Sequence, residues 1–238
     1  MAENVFITGA DKGLGLCLAD RFVRAGYRVF AGQYGDGAEL ALLAAEFPAT
    51  LTAIPLDVSS MPSIVNAAGR VSDLTDQLDY LVNCAGLSID IKVPLPELDL
   101  ANGNLESIMA VNAFGPLRVT QAFLPMLDRG QRKRIVNISS EAGSIGENWR
   151  DVGYGYCMSK AAFNMQSQIL QRYLKPRGFR VLIFHPGWMR TTMGGPDAHI
   201  SPEESAAGIF KLATEMSSAN EPAETALYQD YTGRKFAW

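Results

Sequence analysis

Thr8-Gly9-Ala10-Asp11-Lys12-Gly13-Leu14-Gly15 lies between an apolar run at 4–8 and a helical pattern at 13–25. Glycines spaced Gly-x-x-x-Gly-x-Gly at a strand-to-helix junction permit a tight turn and a close approach of backbone to phosphate. The helix that starts there offers unpaired N–H groups and the positive end of its dipole. Taken locally, the triplet reads as a plain turn or as a cradle for a dinucleotide. Its place after the first strand favours the cradle, with Gly9, Asp11, Lys12, Gly13, Leu14 and Gly15 as the contacting residues.

Outward from this turn, short apolar runs alternate with longer helical patterns. Strands are expected at 28–32, 51–56, 80–83, 134–139, 180–185 and 226–228, and helices at 38–47, 61–74, 105–127, 155–174 and 202–216. Several of the runs are apolar throughout, as in strands covered on both faces. Repeated βα alternation predicts an α/β fold, one doubly wound parallel sheet of about seven strands with helices on both faces. No Pro/Gly/Ser-rich linker and no internal repeat divides residues 1–238, so a single domain is expected. The irregular stretches 87–103, 144–155 and 187–201 are expected to wall a substrate crevice, the last two because they follow strand ends.

Bulk properties exclude other classes. The chain has 238 residues, 47% hydrophobic and 19% charged, with a net charge of −4. That argues against nucleic-acid and anionic-membrane partners. The densest basic stretch, Arg129-Gly130-Gln131-Arg132-Lys133-Arg134, reads as a solvated loop. Cys17, Cys84 and Cys157 lack metal-site spacing and read as buried thiols in a reducing compartment. No metal is expected. The first residues show no leader-peptide architecture and no run reaches transmembrane length, so a cytoplasmic protein is expected.

Further nucleotide contacts are sought at strand ends. Asp57, before Val58, is placed either to accept from an adenine amino group or to cap the next helix. Asn83-Cys84-Ala85-Gly86 ends the fourth strand with small residues that suit close packing against a nucleotide. At the end of the second strand an acid would bind a ribose 2′-hydroxyl and a base a 2′-phosphate. Gln33 stands there instead, and Lys12, inside the glycine turn, is in a place to reach a 2′-phosphate. The expected cofactor is therefore NADP(H), with NAD(H) as the alternative.

The proton chemistry is sought in Tyr156-Cys157-Met158-Ser159-Lys160. Positions i and i+4 share a helix face. A phenol titrates near ~10, and a cation about 4 Å away at an effective dielectric near 20 favours its ionised form by roughly 4 kcal/mol. The expectation is a Tyr156 pKa drawn down toward neutrality. Taken alone, the pair also reads as an exposed packing pair. His185 reads as a structural residue at a strand end, and the scattered methionines as core filler.

These motifs together resemble the short-chain dehydrogenase/reductase family. The resemblance is carried by Thr8–Gly15, Asn83-Cys84-Ala85-Gly86, Asn112 in Val111-Asn112-Ala113, Asn137-Ile138-Ser139-Ser140, Tyr156 to Lys160 and Pro186-Gly187. It runs in order along nearly the whole chain. The stretch from His185 to Gly195 and the ending Tyr231-Thr232-Gly233-Arg234-Lys235-Phe236-Ala237-Trp238 look like the branch containing C-factor and Sniffer-type carbonyl reductases.

The resemblance implies a Rossmann-type domain and a catalytic set of Asn112, Ser140, Tyr156 and Lys160. Tyr156 would be the acid in reduction and the base in oxidation. Ser140 would hold the substrate oxygen, Lys160 the nicotinamide ribose, and Asn112 a water leading from Lys160 to solvent. It further implies cofactor contacts at Val58, Pro186, Gly187, Met189 and Thr191. Ser139 is the rival to Ser140, but side chains alternate along a strand and Ser139 should point away. Ser140 lies sixteen residues before Tyr156, a longer gap than usual, so a bulge around residues 147–151 is expected. Trp149, Trp188 and Met193 are candidates to line an apolar substrate pocket. A small carbonyl or alcohol substrate and a homodimer or homotetramer, through helices 105–127 and 155–174, complete the expectation. The competing reading is a C-factor-type signalling protein that binds nucleotide and for which turnover is secondary.

Overall fold

The computed structural model describes residues 2–215 and 226–238. Among these, the strands are β1 Asn4–Ile7, β2 Arg28–Gln33, β3 Leu51–Pro55, β4 Tyr80–Asn83, β5 Arg134–Ile138, β6 Arg180–His185 and β7 Leu227–Asp230. The helices are α1 Gly13–Arg24, α2 Ala38–Glu46, α3 Met61–Ser72, α4 Asn104–Met109, α5 Gly115–Arg129, α6 Tyr154–Leu174 and α7 Pro202–Glu215. Met216, the expected end of the last helix, lies outside the described residues.

The sheet has seven strands in the order β3-β2-β1-β4-β5-β6-β7, every pairing parallel. Parallel neighbours need crossovers, and the helices supply them on both faces. Alternation along each strand feeds two cores. Val5 and Ile7 of β1 and Leu182 and Phe184 of β6 pack with Leu18, Phe22 and Ile209 under α1 and α7. Phe6, Val181 and Ile183 point the other way and pack with Ile64, Val119 and Phe123 under α3 and α5. Phe6 and Phe123 stack with ring centroids 4.2 Å apart.

The order reverses between β1 and β4, and the crevice beyond that point is where an open α/β sheet takes a ligand. Thr8 closes it from below. Its Oγ1 accepts the N–H groups of both Cys84 and Ala85 at 3.0 Å, tying the glycine turn to the end of β4. Gly9, at φ +63°, has no room for a side chain: a Cβ there would lie 2.8 Å from Ala85 Cα, and one on Gly15 would lie 2.0 Å from the Gly9 carbonyl oxygen.

Two elements differ from the expected pattern. The helix expected at 105–127 is interrupted. Residues Ala110–Phe114 form a π turn between α4 and α5, and Asn112 sits in its middle. Its amide draws the chain toward Leu87, and π turns commonly mark such sites. The three cysteines form no disulfide and are half-buried rather than fully enclosed.

Candidate active site

Tyr156 stands in the first turn of α6, a helix with no side-chain cap of its own, since Gly153 precedes it. The cap comes from another loop. Asp90, in the stretch 87–103, accepts the Gly155 N–H at 2.5 Å and the Tyr156 N–H at 3.2 Å. A carboxylate there also meets the positive end of the helix dipole. The backbone at Tyr156 is thus held by a residue sixty-six positions away.

The four expected catalytic residues converge. Tyr156, Ser140, Lys160 and Asn112 are all buried, and the Tyr156 phenol lies within interaction reach of the Ser140 hydroxyl. Ser139 points away, donating to Asn164 Oδ1 at 2.7 Å, which leaves Ser140 as the serine of the site. Lys160 Nζ donates to the Ile138 carbonyl at 3.0 Å and lies 5.8 Å from the Tyr156 ring centroid. Asn112 and Lys160 face each other across Gly86: a methyl built on that glycine would be 3.7 Å from Asn112 Oδ1 and 4.0 Å from Lys160 Nζ. The longer Ser140-to-Tyr156 gap is taken up by an irregular loop and does not displace the serine.

The expected pKa of Tyr156 requires correction. Burial pushes the phenol up to about 12; the hydrogen bond with Ser140 opposes the rise, the Glu141 charge adds to it and Arg150 opposes it. Burial outweighs any pull from Lys160, whose ammonium is directed at the Ile138 carbonyl and is itself pushed by burial down to about 8.

The residues expected to contact a nucleotide divide by what their side chains do. The N-terminus of α1, at Lys12 and Gly13, carries no side-chain cap and no acidic residue in its first turn. Its N–H groups and dipole suit a pyrophosphate, and the glycines leave the space for one. Leu14 points into the core. Thr191 closes over the turn from β6, since a Cβ on Gly13 would lie 3.6 Å from Thr191 Cγ2. The Thr191 hydroxyl accepts the Gly194 N–H at 3.1 Å. Met189 pairs with Ile200, and the Pro186 carbonyl accepts from Ser205 at 2.6 Å, so the start of the 187–201 loop around Gly187 is fastened.

Asn83 spends its side chain inside the fold: Nδ2 donates to Asn137 Oδ1 at 2.8 Å and to Thr120 at 3.4 Å. Asp57 Oδ1 accepts from both the N–H and the hydroxyl of Ser59, at 2.8 and 2.6 Å, while Ser60 caps α3. Asp57 therefore serves the turn before the helix without being its cap. Val58 is buried against Gly115.

At the end of β2, Gln33 donates to the carbonyls of Gly35 and Asp36, at 3.0 and 3.2 Å, and so ties off its own loop. A carboxylate does reach this strand end, from Asp11: its Oδ1 lies 3.5 Å from the Tyr34 nitrogen. Lys12 beside it is exposed.

The three candidate pocket residues are exposed rather than enclosed. Trp149, Trp188 and Met193 are 73%, 49% and 51% exposed. Trp149 lies under the Arg150 guanidinium, 4.8 Å from the ring centroid, and the Trp188 indole donates to the Gly194 carbonyl at 2.8 Å.

Two groups of residues beside the site escaped the sequence reading. Glu141 follows Ser140 and meets its hydroxyl, Arg150 and His185. The Tyr228 hydroxyl donates to the Ser140 carbonyl at 2.5 Å, and the final residues brace the 144–155 loop, with Ser144 donating to the Ala237 carbonyl and Glu147 accepting from Ala237 N–H, both at 2.7 Å. The only sequence signal for these was an acid directly after the serine pair. Among the described residues, no cluster of His, Cys, Asp or Glu side chains could hold a metal ion, and no helix is long and apolar enough to cross a membrane.

Comparison with known proteins places this geometry. The short chain dehydrogenase family profile matches residues 3–199. The chain is 36% identical over 164 residues to C-signal of Myxococcus xanthus, covering 69% of this chain and 95% of that one. It is 32% identical over 241 residues to 1-hydroxy-2-glutathionyl-2-methyl-3-butene dehydrogenase of Rhodococcus sp. (strain AD45), covering 99% and 100%. The NADPH-bound carbonyl reductase from chicken fatty liver shares the fold with a TM-score of 0.90 at 29% identity, covering 100% of this chain and 99% of that one. The protein belongs to the short-chain dehydrogenase family, whose members are oxidoreductases. Its similarity to C-signal and to a carbonyl reductase lies in the branch to which the 185–195 stretch and the ending pointed.

Proposed function

We propose that the protein is an NADP(H)-dependent oxidoreductase acting on a carbonyl or alcohol substrate, with Tyr156 as general acid in reduction and general base in oxidation. The observation that carries this reading is a buried phenol beside the Ser140 hydroxyl, at the C-terminal edge of the sheet beside the uncapped start of α1. A bound nicotinamide supplies or accepts the hydride. The protein's own part is to seat the substrate oxygen at Tyr156 and Ser140 and to move one proton. With its pKa near 12 the phenol holds that proton at neutral pH, which suits reduction. Lys160 serves the ribose hydroxyls, and Asn112, fixed in its π turn, holds the water route beyond Lys160. Proton transfer of this kind contributes roughly 10²–10⁴-fold.

The preference for NADP(H) rests on exposed Lys12 and on the absence of an acid at position 33; the chicken carbonyl reductase is an NADPH-bound protein. The exposed Trp149, Trp188 and Met193 favour a hydrophobic substrate closed upon by the loops. A cytoplasmic setting agrees with three unpaired thiols. Exposed Phe114, Leu117, Met158, Met165, Ile169 and Tyr173 on α5, α6 and the π turn favour a homodimer or homotetramer through those helices, and sedimentation as a monomer at tens of micromolar would exclude it.

The test is fluorescence titration with NADPH and NADH, followed by a ketone and aldehyde panel read at the nicotinamide absorbance. Tighter NADPH binding and turnover of a carbonyl are expected. Tyr156→Phe should lose turnover and keep cofactor binding. The similarity to C-signal supports a second reading, a nucleotide-binding signalling protein. It gains the upper hand if cellular function survives Tyr156→Phe with cofactor binding intact.

A further inference from the structure

We propose that Glu141 is a positioning residue that holds the Ser140 hydroxyl proton and, opposed by Arg150, sets the charge acting on the Tyr156 phenol. The inference rests on the reading of Ser140 and Tyr156 given above. Ser140 Oγ donates to Glu141 Oε2 at 2.6 Å and accepts the Ala142 N–H at 3.2 Å. A hydroxyl has one proton. While Glu141 holds it, Ser140 meets the protonated phenol with a lone pair, so the Tyr156 proton is the one available to a substrate oxygen; the Ser140 contact that lowers the phenol's pKa forms only when the hydroxyl turns from Glu141 toward the phenolate. Release of the serine proton toward substrate requires rotation away from Glu141.

The other carboxylate oxygen of Glu141 is paired with Arg150, which sits in the residues that lengthen the Ser140-to-Tyr156 gap. Their side chains are 20% and 17% exposed, so solvent and salt screen them weakly. Arg150 Nε is buried with no hydrogen-bond partner. Burial raises the Glu141 carboxyl, and His185, Ser140 and Arg150 together overcome this and hold it below the usual carboxylate range.

Other ionisable groups face the pair from every side. His185 of β6 has Nδ1 3.1 Å from Glu141 Oε2 and also 3.1 Å from the Glu141 N–H. Burial lowers its pKa, so near neutral pH the ring is uncharged and accepts that N–H. Tyr228 of β7 is tied to the Ser140 carbonyl, Asp90 to the N-terminus of α6, and Glu147 to Arg234. Cys157 and Lys160 flank Tyr156 on its own helix. Glu141 and Arg150 act on the phenol with opposite sign, the first raising its pKa and the second lowering it.

The test compares the pH dependence of alcohol oxidation in Glu141→Gln, Arg150→Gln and the double variant. E141Q should move the phenol's apparent pKa down by about half to one unit, a three- to tenfold gain in ionised fraction at a given pH. R150Q should move it up, and the double variant should fall between them. E141Q keeps an acceptor for the Ser140 hydroxyl and should retain most of kcat, whereas Glu141→Ala should lose it about tenfold with unchanged cofactor affinity. Shifts of the same sign in both single variants, or none in either, would overturn the proposal. The onset of Tyr156 ionisation, followed by NMR of ring-labelled tyrosine and assigned with Tyr156→Phe, reads the same shifts without turnover. Opposite shifts in an inactive protein would sink the enzymatic reading and leave the charge pair standing. If E141Q does not fold, an R150Q shift downward or absent is sufficient to reject it.

Discussion

Asn112 and Leu87 hold each other by two reciprocal hydrogen bonds: Asn112 Oδ1 accepts the Leu87 N–H at 2.7 Å and Nδ2 donates to the Leu87 carbonyl at 2.8 Å. Nδ2 also donates to Ser159 Oγ at 3.0 Å, and that hydroxyl donates to the Tyr156 carbonyl at 2.7 Å. One buried amide therefore joins the loop after β4, the π turn and the helix that carries Tyr156 and Lys160. Asn112→Leu, similar in volume, strands both Leu87 groups. Each such orphan costs about 1–3 kcal/mol when fully buried; Leu87 is only partly buried, so a loss in the lower part of roughly 2–6 kcal/mol is expected in denaturant melts. Asn112→Asp, which keeps only the acceptor, should fall between the two.

Lys160 is expected to trade stability for function. Its pKa is lowered by burial from 10.5 to about 8, so at pH 7 the fold holds a charge that the unfolded chain solvates freely. Two to three pKa units correspond to about 3 kcal/mol. Lys160→Met should lose turnover yet melt higher than the parent without cofactor. The sign follows from linkage: between pH 8 and 10 the unfolded parent binds more protons than the folded one, so its stability rises with pH relative to the variant. The gap between the two melting curves should narrow over that interval. A constant gap would show that the ammonium carries no such cost.

Lys12 is the exposed cation at the glycine turn. Lys12→Ala should weaken NADPH binding about five- to tenfold, the scale of one solvent-exposed charge contact, and leave NADH nearly unchanged. Asp11→Asn, which removes the carboxylate facing Tyr34, should act in the opposite direction on the NADPH to NADH ratio. Fluorescence titration at two salt concentrations checks both, because the Lys12 effect should shrink as salt rises.

Tyr228 supports Ser140 from the last strand. Tyr228→Phe removes the donor to the Ser140 carbonyl and should cost about 1–2 kcal/mol. Turnover should fall severalfold while NADPH affinity holds, since the change touches the serine and not the glycine turn. Equal losses in kcat and cofactor binding would mean that the strand, not the serine, had moved.

The strands and helices were legible because their causes are local. Val5, Phe6 and Ile7 are apolar in a run bounded by a glycine turn, and a strand covered on both faces needs nothing more. Tyr156 and Lys160 are separated by one helical turn, so their shared face follows from spacing alone. Other placements rest on partners far along the chain. Asp90 caps a helix that starts at residue 154, and Asn112 bonds to Leu87. Gln33, which stands where an acid would select NAD, turns into its own loop, and the nearby carboxylate belongs to Asp11. The pKa of Tyr156 moved up against expectation because spacing shows the cation and conceals the burial.

Sequence by itself determined the layer order of this fold, the glycine turn and the one-turn spacing of Tyr156 and Lys160, since hydrophobic period, backbone freedom and helical repeat act over a few residues. Tertiary structure alone decided which side chains meet at the serine, where Glu141, Arg150, His185 and Tyr228 arrive from separate elements, and how far each pKa is displaced. Desolvation and long-range contact depend on what the whole chain packs around a group, and no stretch of neighbours along the chain contains that information.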